Sequence, residues 1–449
     1  METSPPRCKR RLPSPEGGPD DSAAAARAAG LDSLPEELLE NIVARLPLRD
    51  AVRTSAVSGS WSRRWESTPD LRHYWPRRSR PAAICAVLAR YSCDVRRFCT
   101  WGIRAEAFPH IDEWLPLLAA KGVQCLTLSF WDYTDVNVEY YTLHPAIFAC
   151  AQLTSLHLER CFLPTAPEGF AGFPNLTTLN LVYVGLPENG EKKLEAMIRM
   201  SPSLVSLELN NVEVTDDDFD DWIIQAPNLE RLTIISDIDY GWEIRELPSI
   251  QEANINSEDY SIDRDFVKLL TCLAQVRQLE FLIPVDSCDD WEPVSTDGNA
   301  LEGISCSFQK LRNLILHTNF YKASTILSTF GLLTRAPNLK HLEIEITDHE
   351  NQSDEVDITF FDAMWTNSLF ANLDFVSIKS ATCWSNEMCF IEFVLSKARV
   401  LHEFYIYHDD TGSYSEPREK AINELAKYKR ASPKAMVFFR DMEDTWLYP

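Results

Sequence analysis

Past residue 80 the chain repeats one pattern of apolar and polar positions. Its kernel is Leu-x-x-Leu-x-Leu or an apolar equivalent, and the middle apolar position falls at Leu126, Leu156, Leu179, Leu207, Leu232, Ala253, Leu279, Leu314, Leu342, Val376 and Phe404. Alternation within each kernel predicts a short strand with one buried face. Between kernels apolar residues return at helical spacing: Leu194, Met197 and Ile198; Phe219, Trp222 and Ile223; Phe266, Leu269, Leu270 and Leu273; Ile391, Val394 and Leu395. A Pro precedes several kernels, in Pro174-Asn175-Leu176, Pro202-Ser203-Leu204, Pro227-Asn228-Leu229 and Pro337-Asn338-Leu339. Pro stops the preceding helix and turns the chain into a strand. The predicted unit is helix, Pro turn, strand, and it buries its apolar side only against its neighbours.

Successive kernels are 30, 23, 28, 25, 21, 26, 35, 28, 34 and 28 residues apart. These intervals bracket the roughly 20 to 29 residues of a leucine-rich repeat, with a few longer insertions. The expected fold is therefore α/β: an irregular leucine-rich-repeat solenoid, parallel strands inside and helices outside, over residues 77–369. In each kernel the leucines point into the stack and the residue between them points onto the open inner face. Those residues are Thr127, His157, Asn180, Glu208, Thr233, Asn254, Glu280, Ile315, Glu343, Ser377 and Tyr405, extended by Glu159, Asn210 and Glu345. The face is polar and somewhat acidic. It is either ordinary solvated strand surface or the seat of a protein or peptide ligand, with His157, Asn180, Glu208, Glu280, Glu343 and Tyr405 as the candidate contacts.

Residues 31–76 follow a different pattern, that of three short helices. Ser33 and Glu36 have the form of a capping box, and Leu38, Leu39, Ile42, Val43 and Leu46 recur at helical spacing until Pro47. Asp50 is placed to cap a second helix carrying Ala51, Val52 and Ala56, and Ser58 a third in which Trp61 and Trp65 share a face. Such a small module cannot enclose two apolar stripes and two Trp. Either the following domain or another molecule covers the surplus.

At this point the chain resembles a known family. Leu34-Pro35, Leu38, Ile42, Leu46-Pro47, the Arg49-Asp50-Ala51-Val52-Arg53-Thr54-Ser55 run, Val57-Ser58 and Trp61 resemble the F-box of plant F-box proteins. Gly59 stands where that motif usually has Arg or Lys, which loosens the start of the third helix. The resemblance implies docking onto the Skp-family adaptor, and through it to the cullin and RING subunits of a Skp-cullin-F-box ubiquitin ligase. The anchors it implies are Leu34, Pro35, Leu38, Ile42, Leu46, Pro47, Leu48, Val52, Val57 and Trp61. Farther on, Leu373, Val376-Ser377-Ile378-Lys379, Ile391-Glu392-Phe393-Val394-Leu395, Ala398, Leu401, Ile406, Ala431-Ser432-Pro433-Lys434-Ala435 and Val437-Phe438 resemble the FBD region that closes many such proteins. Ser380-Ala381 occupies the place where a Gly commonly follows its first strand. Physically, residues 370–440 are two more strand-helix units ending in an apolar strand, the cap a solenoid needs.

Charge and composition narrow the function. Of the net −24, residues 1–80 contribute +3, from 14 Arg and Lys against 11 Asp and Glu, and the rest contributes −27. A body that acidic repels a phosphate lattice, which argues against nucleic acid as its ligand. A basic or amphipathic protein substrate is one reading of the acidity, and a surface kept soluble by repulsion the other. Nothing supports a transmembrane span, since the Ala23–Ala29 run is weakly apolar and interrupted by Arg27. The twelve Cys lack Cys-x-x-Cys pairs and often sit in apolar runs such as Ile84-Cys85-Ala86-Val87, as reduced thiols of a cytoplasmic or nuclear protein do. Residues 1–30 read as a disordered tail in which Arg7, Lys9, Arg10 and Arg11 are either an import signal or an incidental basic cluster. The run Asp216–Asp221 lacks the turn glycine and terminal glutamate of a calcium loop, and suits the first turn of a helix over Phe219, capped by Thr215. No nucleophile elbow, phosphate loop or metal-spaced His and Cys set is present, so neither catalysis, cofactor nor metal is expected. The expected role is a non-catalytic substrate receptor. A partner-binding scaffold that degrades nothing and, behind it, a small-molecule sensor are the alternatives.

Overall fold

The computed structural model of the 449-residue chain describes residues 34–57, 59, 61–68, 73–75, 79–130, 141–214, 221–261, 264–284, 301–347, 355–409 and 416–441. The basic tail cluster, Ser33, Ser58 and Thr215–Asp220 lie outside them. Two compact units result, Met1–Arg72 with Tyr91–Cys93, and His73–Arg90 with Asp94–Pro449.

In the first unit, helix α1 spans Glu36–Ala44 behind Pro35, and α2 spans Leu48–Arg53 behind Pro47. The N-cap positions are Pro35 and Pro47 and neither makes a side-chain hydrogen bond, so the capping role expected of Asp50 is corrected, while that of Ser33 lies outside the described residues. Proline's fixed φ and missing N–H suit a helix start, and Pro47 both ends α1 and opens α2. Asp50 sits inside the first turn and pairs with Arg53 at 3.3 Å. The predicted third α-helix is replaced by 3-10 turns at Thr54–Ala56 and Arg64–Glu66. The Ser62 hydroxyl donates to Gly59 O at 2.9 Å, the kind of local bond that competes with a helix. Trp65 Nε1 donates to Ser55 Oγ at 3.1 Å, and the Arg64 guanidinium lies 5.5 Å from the Trp61 ring centre while pairing with Glu36.

The second unit is built on one sheet in which every pairing is parallel. Its strands, in chain order and in sheet order, are β1 (His73–Trp75), β2 (Arg97–Ile103), β3 (Cys125–Phe130), β5 (Ser155–Phe162), β6 (Thr178–Leu186), β7 (Ser206–Val214), β9 (Arg231–Ile238), β11 (Glu252–Asp259), β12 (Gln278–Leu282), β13 (Asn313–Thr318), β14 (His341–Ile346), β15 (Phe375–Ala381), β16 (Glu403–His408) and β17 (Met436–Asp441). A short β4 (Tyr141–Thr142) adds to β5, while β8 (Trp222–Ile224) and β10 (Trp242–Ile244) form a separate pair.

All eleven predicted kernel residues are successive register partners, from Leu126 opposite Leu156 through to Val376 opposite Phe404. The row continues to Phe98 and His73 on one side and Val437 on the other. The Pro-Asn-Leu preface has a second function that its spacing did not reveal. Ser203 Oγ donates to Pro174 O at 3.0 Å, Asn228 Nδ2 to Pro202 O at 2.8 Å, Ser249 Oγ to Pro227 O at 2.9 Å and Asn372 Nδ2 to Pro337 O at 3.1 Å. In these four repeats a side chain thus binds a carbonyl of the preceding turn.

The outer side of the stack varies with repeat length. Helices α3 (Pro81–Arg90), α4 (Phe108–Ala120), α5 (Gly190–Arg199), α6 (Phe266–Cys272), α7 (Ala323–Leu333), α8 (Ile358–Ala363), α9 (Ser385–Lys397) and α10 (Arg418–Leu425) lie between strands. Intervals of 25 residues or fewer contain no α-helix among the described residues, since so short a crossover leaves no room for helical turns between two reversals. The helix expected through Trp222 and Ile223 is accordingly corrected: they belong to β8, where Trp222 and Ile224 are buried on either side of Ile223.

Several strands bend at one shared position. Gly102, Arg160, Tyr183, Asn211 and Ser380 all have positive φ and stand two residues past the second buried kernel position. The β2–β3 and β15–β16 registers shift there, as bulges do. Ser380, at φ 54°, therefore adopts the left-handed conformation for which the FBD pattern usually supplies glycine.

Among the described residues no helix is long and apolar enough to cross a membrane. The ten described cysteines carry free thiols, and burial pushes Cys150 up to about 12.

Candidate functional site

Helix α1 of the first unit carries its apolar residues in two adjacent stripes. Leu39 and Val43 are buried, whereas Leu38 and Ile42, one turn apart, are 50% and 37% exposed. Val57 is 62% exposed, and Pro35 and Pro47 are exposed beside the half-buried Leu34, Leu46 and Val52. Leu48 and Trp61, also expected as anchors, are buried and present no free surface. Leu38, Ile42 and Val57 are large apolar side chains left exposed on a small unit, which makes them a candidate binding surface.

The open face of the second unit's sheet presents three parallel ladders. His157, Asn180, Glu208, Glu280, Glu343 and Tyr405 all lie on the central one, each half-buried. Burial lowers the His157 pKa against the pull of Glu159 and Glu208, which keeps the ring neutral near pH 7, and it packs against Trp101 with centroids 5.5 Å apart. His157 Nε2 and the adjacent Asn180 Oδ1 have no hydrogen-bond partner within the protein.

Two of the expected acids are already engaged across the strands. Glu280 accepts from His317 Nε2 at 2.9 Å and from Asn256 Nδ2 at 3.5 Å, and the His317 bond holds its carboxyl below the ordinary range. Glu345 lies 3.8 Å from the other nitrogen of His317. Glu343 pairs with Lys379; burial works against the lysine's charge, but this carboxylate keeps its pKa raised. Glu280 and Glu343, expected from single positions as open acids, are thus paired with His317 and Lys379, one ladder over.

The C-terminal end of this face is aromatic. Tyr405 stacks on Phe438 with centroids 4.7 Å apart and lies 5.7 Å from Phe375, with Tyr407 at 6.1 Å. The Arg440 guanidinium covers Tyr405 at 5.1 Å. Beside this row a depression of about 220 Å³ is lined by Gln278, Asn313, Ile315, His341, Glu343 and Phe375. Of these groups the sequence reading selected only Tyr405 and Glu343 as candidate contacts. The partners of Tyr405 could have been found by extending strand alternation two residues each way and across one repeat. Amides, ion pairs and aromatic faces together suit recognition of a polypeptide.

Behind that surface, Glu387 on α9 is fully enclosed. Burial raises its pKa from 4.5 to about 7, although Thr382 Oγ1 at 2.6 Å and Cys383 N–H at 2.8 Å donate to it. A carboxyl raised on folding gives its full stability below its unfolded pKa, and that stability is lost as pH rises through the folded value. The difference corresponds to on the order of 3 kcal/mol. Glu387→Gln should therefore match the parent near pH 4 and gain on it progressively from about pH 4.5 to 7, as read by denaturant midpoints. A constant difference across that range would refute the assignment.

One further set of side chains has the chemistry of metal ligands: Cys85, His110 and Glu113, on α3 and α4.

Comparison with known proteins agrees with this layout. Residues 31–73 match the F-box domain, and residues 111–215 match the repeats described as "FBD-associated F-box protein At5g56370, LRR repeats". The chain is 25% identical over 430 residues to the Arabidopsis thaliana F-box/FBD/LRR-repeat protein At1g13570, covering 91% of this chain and 98% of the relative. It is 24% identical to the Arabidopsis F-box/FBD/LRR-repeat protein At5g22660, over 91% and 96% of the two chains. Among solved structures, a leucine-rich-repeat protein of Leptospira interrogans aligns with TM-score 0.31 and 12% identity, over 80% of this chain and 93% of that one. An F-box match over residues 31–73, a match to FBD-associated leucine-rich repeats over residues 111–215 and relatives matched nearly end to end agree: this chain carries an F-box domain followed in sequence by leucine-rich repeats and resembles the F-box/FBD/LRR-repeat proteins of Arabidopsis.

Proposed function

We propose that this chain is the substrate-recognition subunit of a Skp-cullin-F-box ubiquitin ligase, working in the cytoplasm, the nucleus or both. The observation that carries the reading is the exposed apolar set Leu38, Ile42 and Val57 within the F-box match at residues 31–73. The F-box binds the Skp-family adaptor, which links it to cullin and RING subunits, and the open face of the repeat sheet holds a target protein. The chain makes and breaks no bonds itself. It raises the local concentration of target lysines near the ubiquitin-charged enzyme, a gain in effective molarity.

The test isolates the full chain from plant cells with the proteasome blocked, beside a Leu34→Ala, Pro35→Ala variant and a Tyr405→Ala, Phe438→Ala variant. A receptor brings down adaptor, cullin and ubiquitylated clients; the first variant loses adaptor and cullin, and the second loses clients alone. Clients recovered without ubiquitin would instead identify a scaffold.

A further inference from the structure

We propose that Cys85, His110 and Glu113 form a zinc site between α3 and α4, independent of the ligase reading. Their donor atoms lie close together: Cys85 Sγ is 3.6 Å from His110 Nδ1 and 3.3 Å from Glu113 Oε2, and the last two are 3.9 Å apart. Tetrahedral Zn²⁺ with bonds of about 2.3 Å to sulfur and about 2.0–2.2 Å to nitrogen and oxygen sets donor–donor edges of about 3.3–3.6 Å. Two of the three edges already meet that requirement, and the third needs a small swing of the Glu113 carboxylate.

The surroundings are also those of a ligand sulfur. The indole N–H of Trp114 donates to Cys85 Sγ at 3.0 Å. Trp114 is buried and packs against Phe98 with centroids 6.0 Å apart, so the donor's direction is fixed by the core. Outer donors of this sort orient and tune metal-bound thiolates. His110 and Glu113 are one turn apart on α4 and share a face. In the metal-free protein the Cys85 thiol donates to Glu113 Oε2, so binding releases that proton while sulfur, imidazole and carboxylate take the ion. His110 and Glu113 are 35% and 63% exposed at their side chains, which leaves the fourth tetrahedral position to water. Bound there, the ion ties two successive outer helices together.

The experiment uses the full reduced chain stripped by a chelator. Zinc is titrated against a chromogenic competitor, and Co²⁺ is substituted to read the thiolate-to-metal charge-transfer band. The site predicts one equivalent of zinc that Cys85→Ser abolishes and His110→Ala weakens at least about 100-fold, with Trp114→Phe about tenfold weaker. Zinc should also raise the thermal midpoint of the parent and not of Cys85→Ser. Circular dichroism shows whether each variant keeps its fold. Zinc binding unchanged by Cys85→Ser, no zinc retained by the parent, or a cobalt spectrum without a thiolate band would each overturn the proposal.

Discussion

Leu38→Asp combined with Val57→Asp should reduce affinity for the Skp-family adaptor by about 1,000-fold while leaving the thermal midpoint of the free chain nearly unchanged. Both side chains are at least half exposed, at 50% and 62%, so in the free protein the substitutions remove little burial and open no cavity. In a complex each would occupy a dehydrated contact, where burying a Leu or Val side chain contributes about 1.5–3 kcal/mol. Two such losses come to about 4 kcal/mol, or three powers of ten in the dissociation constant. The buried neighbours give the contrast. Leu39→Asp or Val43→Asp should unfold the first unit and lose the adaptor with it. Titration calorimetry with purified adaptor, beside a melt of each free variant, separates the two cases. Affinity within threefold of the parent for the Leu38, Val57 pair would place the adaptor elsewhere.

Asp239→Ala should destabilise the middle repeats by about 3–5 kcal/mol, the cost of stripping the partner from a buried charge. The Asp239 and Arg264 side chains are 1% and 9% exposed. The carboxylate accepts from Arg264 Nε at 2.7 Å, from Gly241 N–H at 3.1 Å and from Ser261 N–H at 3.2 Å. The guanidinium in turn lies 4.3 Å from the Trp242 ring centre and donates to the Trp242 carbonyl. Removing the carboxylate leaves two backbone N–H groups without that acceptor and a buried cation held only by the Trp242 carbonyl and ring. Combining Asp239→Asn with Arg264→Met should cost less than Asp239→Ala alone, because no charge is then buried and one side-chain oxygen still accepts from the backbone. Hydrogen exchange in β9 and β11 is the appropriate readout, since each repeat leans mainly on its neighbours. Equal protection in Asp239→Ala and the parent would refute the argument.

The pairing of Leu126 through Phe404 was legible because strand alternation has period two and a parallel stack aligns equivalent positions of every repeat. The two apolar stripes of α1 were legible for the same kind of reason, through the 3.6-residue period. The third F-box helix was not, because local side-chain bonds around Gly59 outweigh a weak helical pattern. Nor was β8, where a short crossover overrides the helical spacing of Trp222 and Ile223.

The sequence by itself determined the repeat, its register, the direction each kernel residue faces and the F-box signature, since all of these follow from periodicity along one chain. Only the tertiary structure decided which open-face carboxylates are paired: Glu280 and Glu343 meet His317 and Lys379, residues 37 and 36 positions away that share no local pattern with them. It likewise decided that Leu48 and Trp61 lie buried while Leu38 stays exposed, and that Cys85 lies beside His110 and Glu113. Periodicity fixes which way a side chain points, but its partners are set by the packing of segments distant in sequence, and no spacing rule encodes those distances.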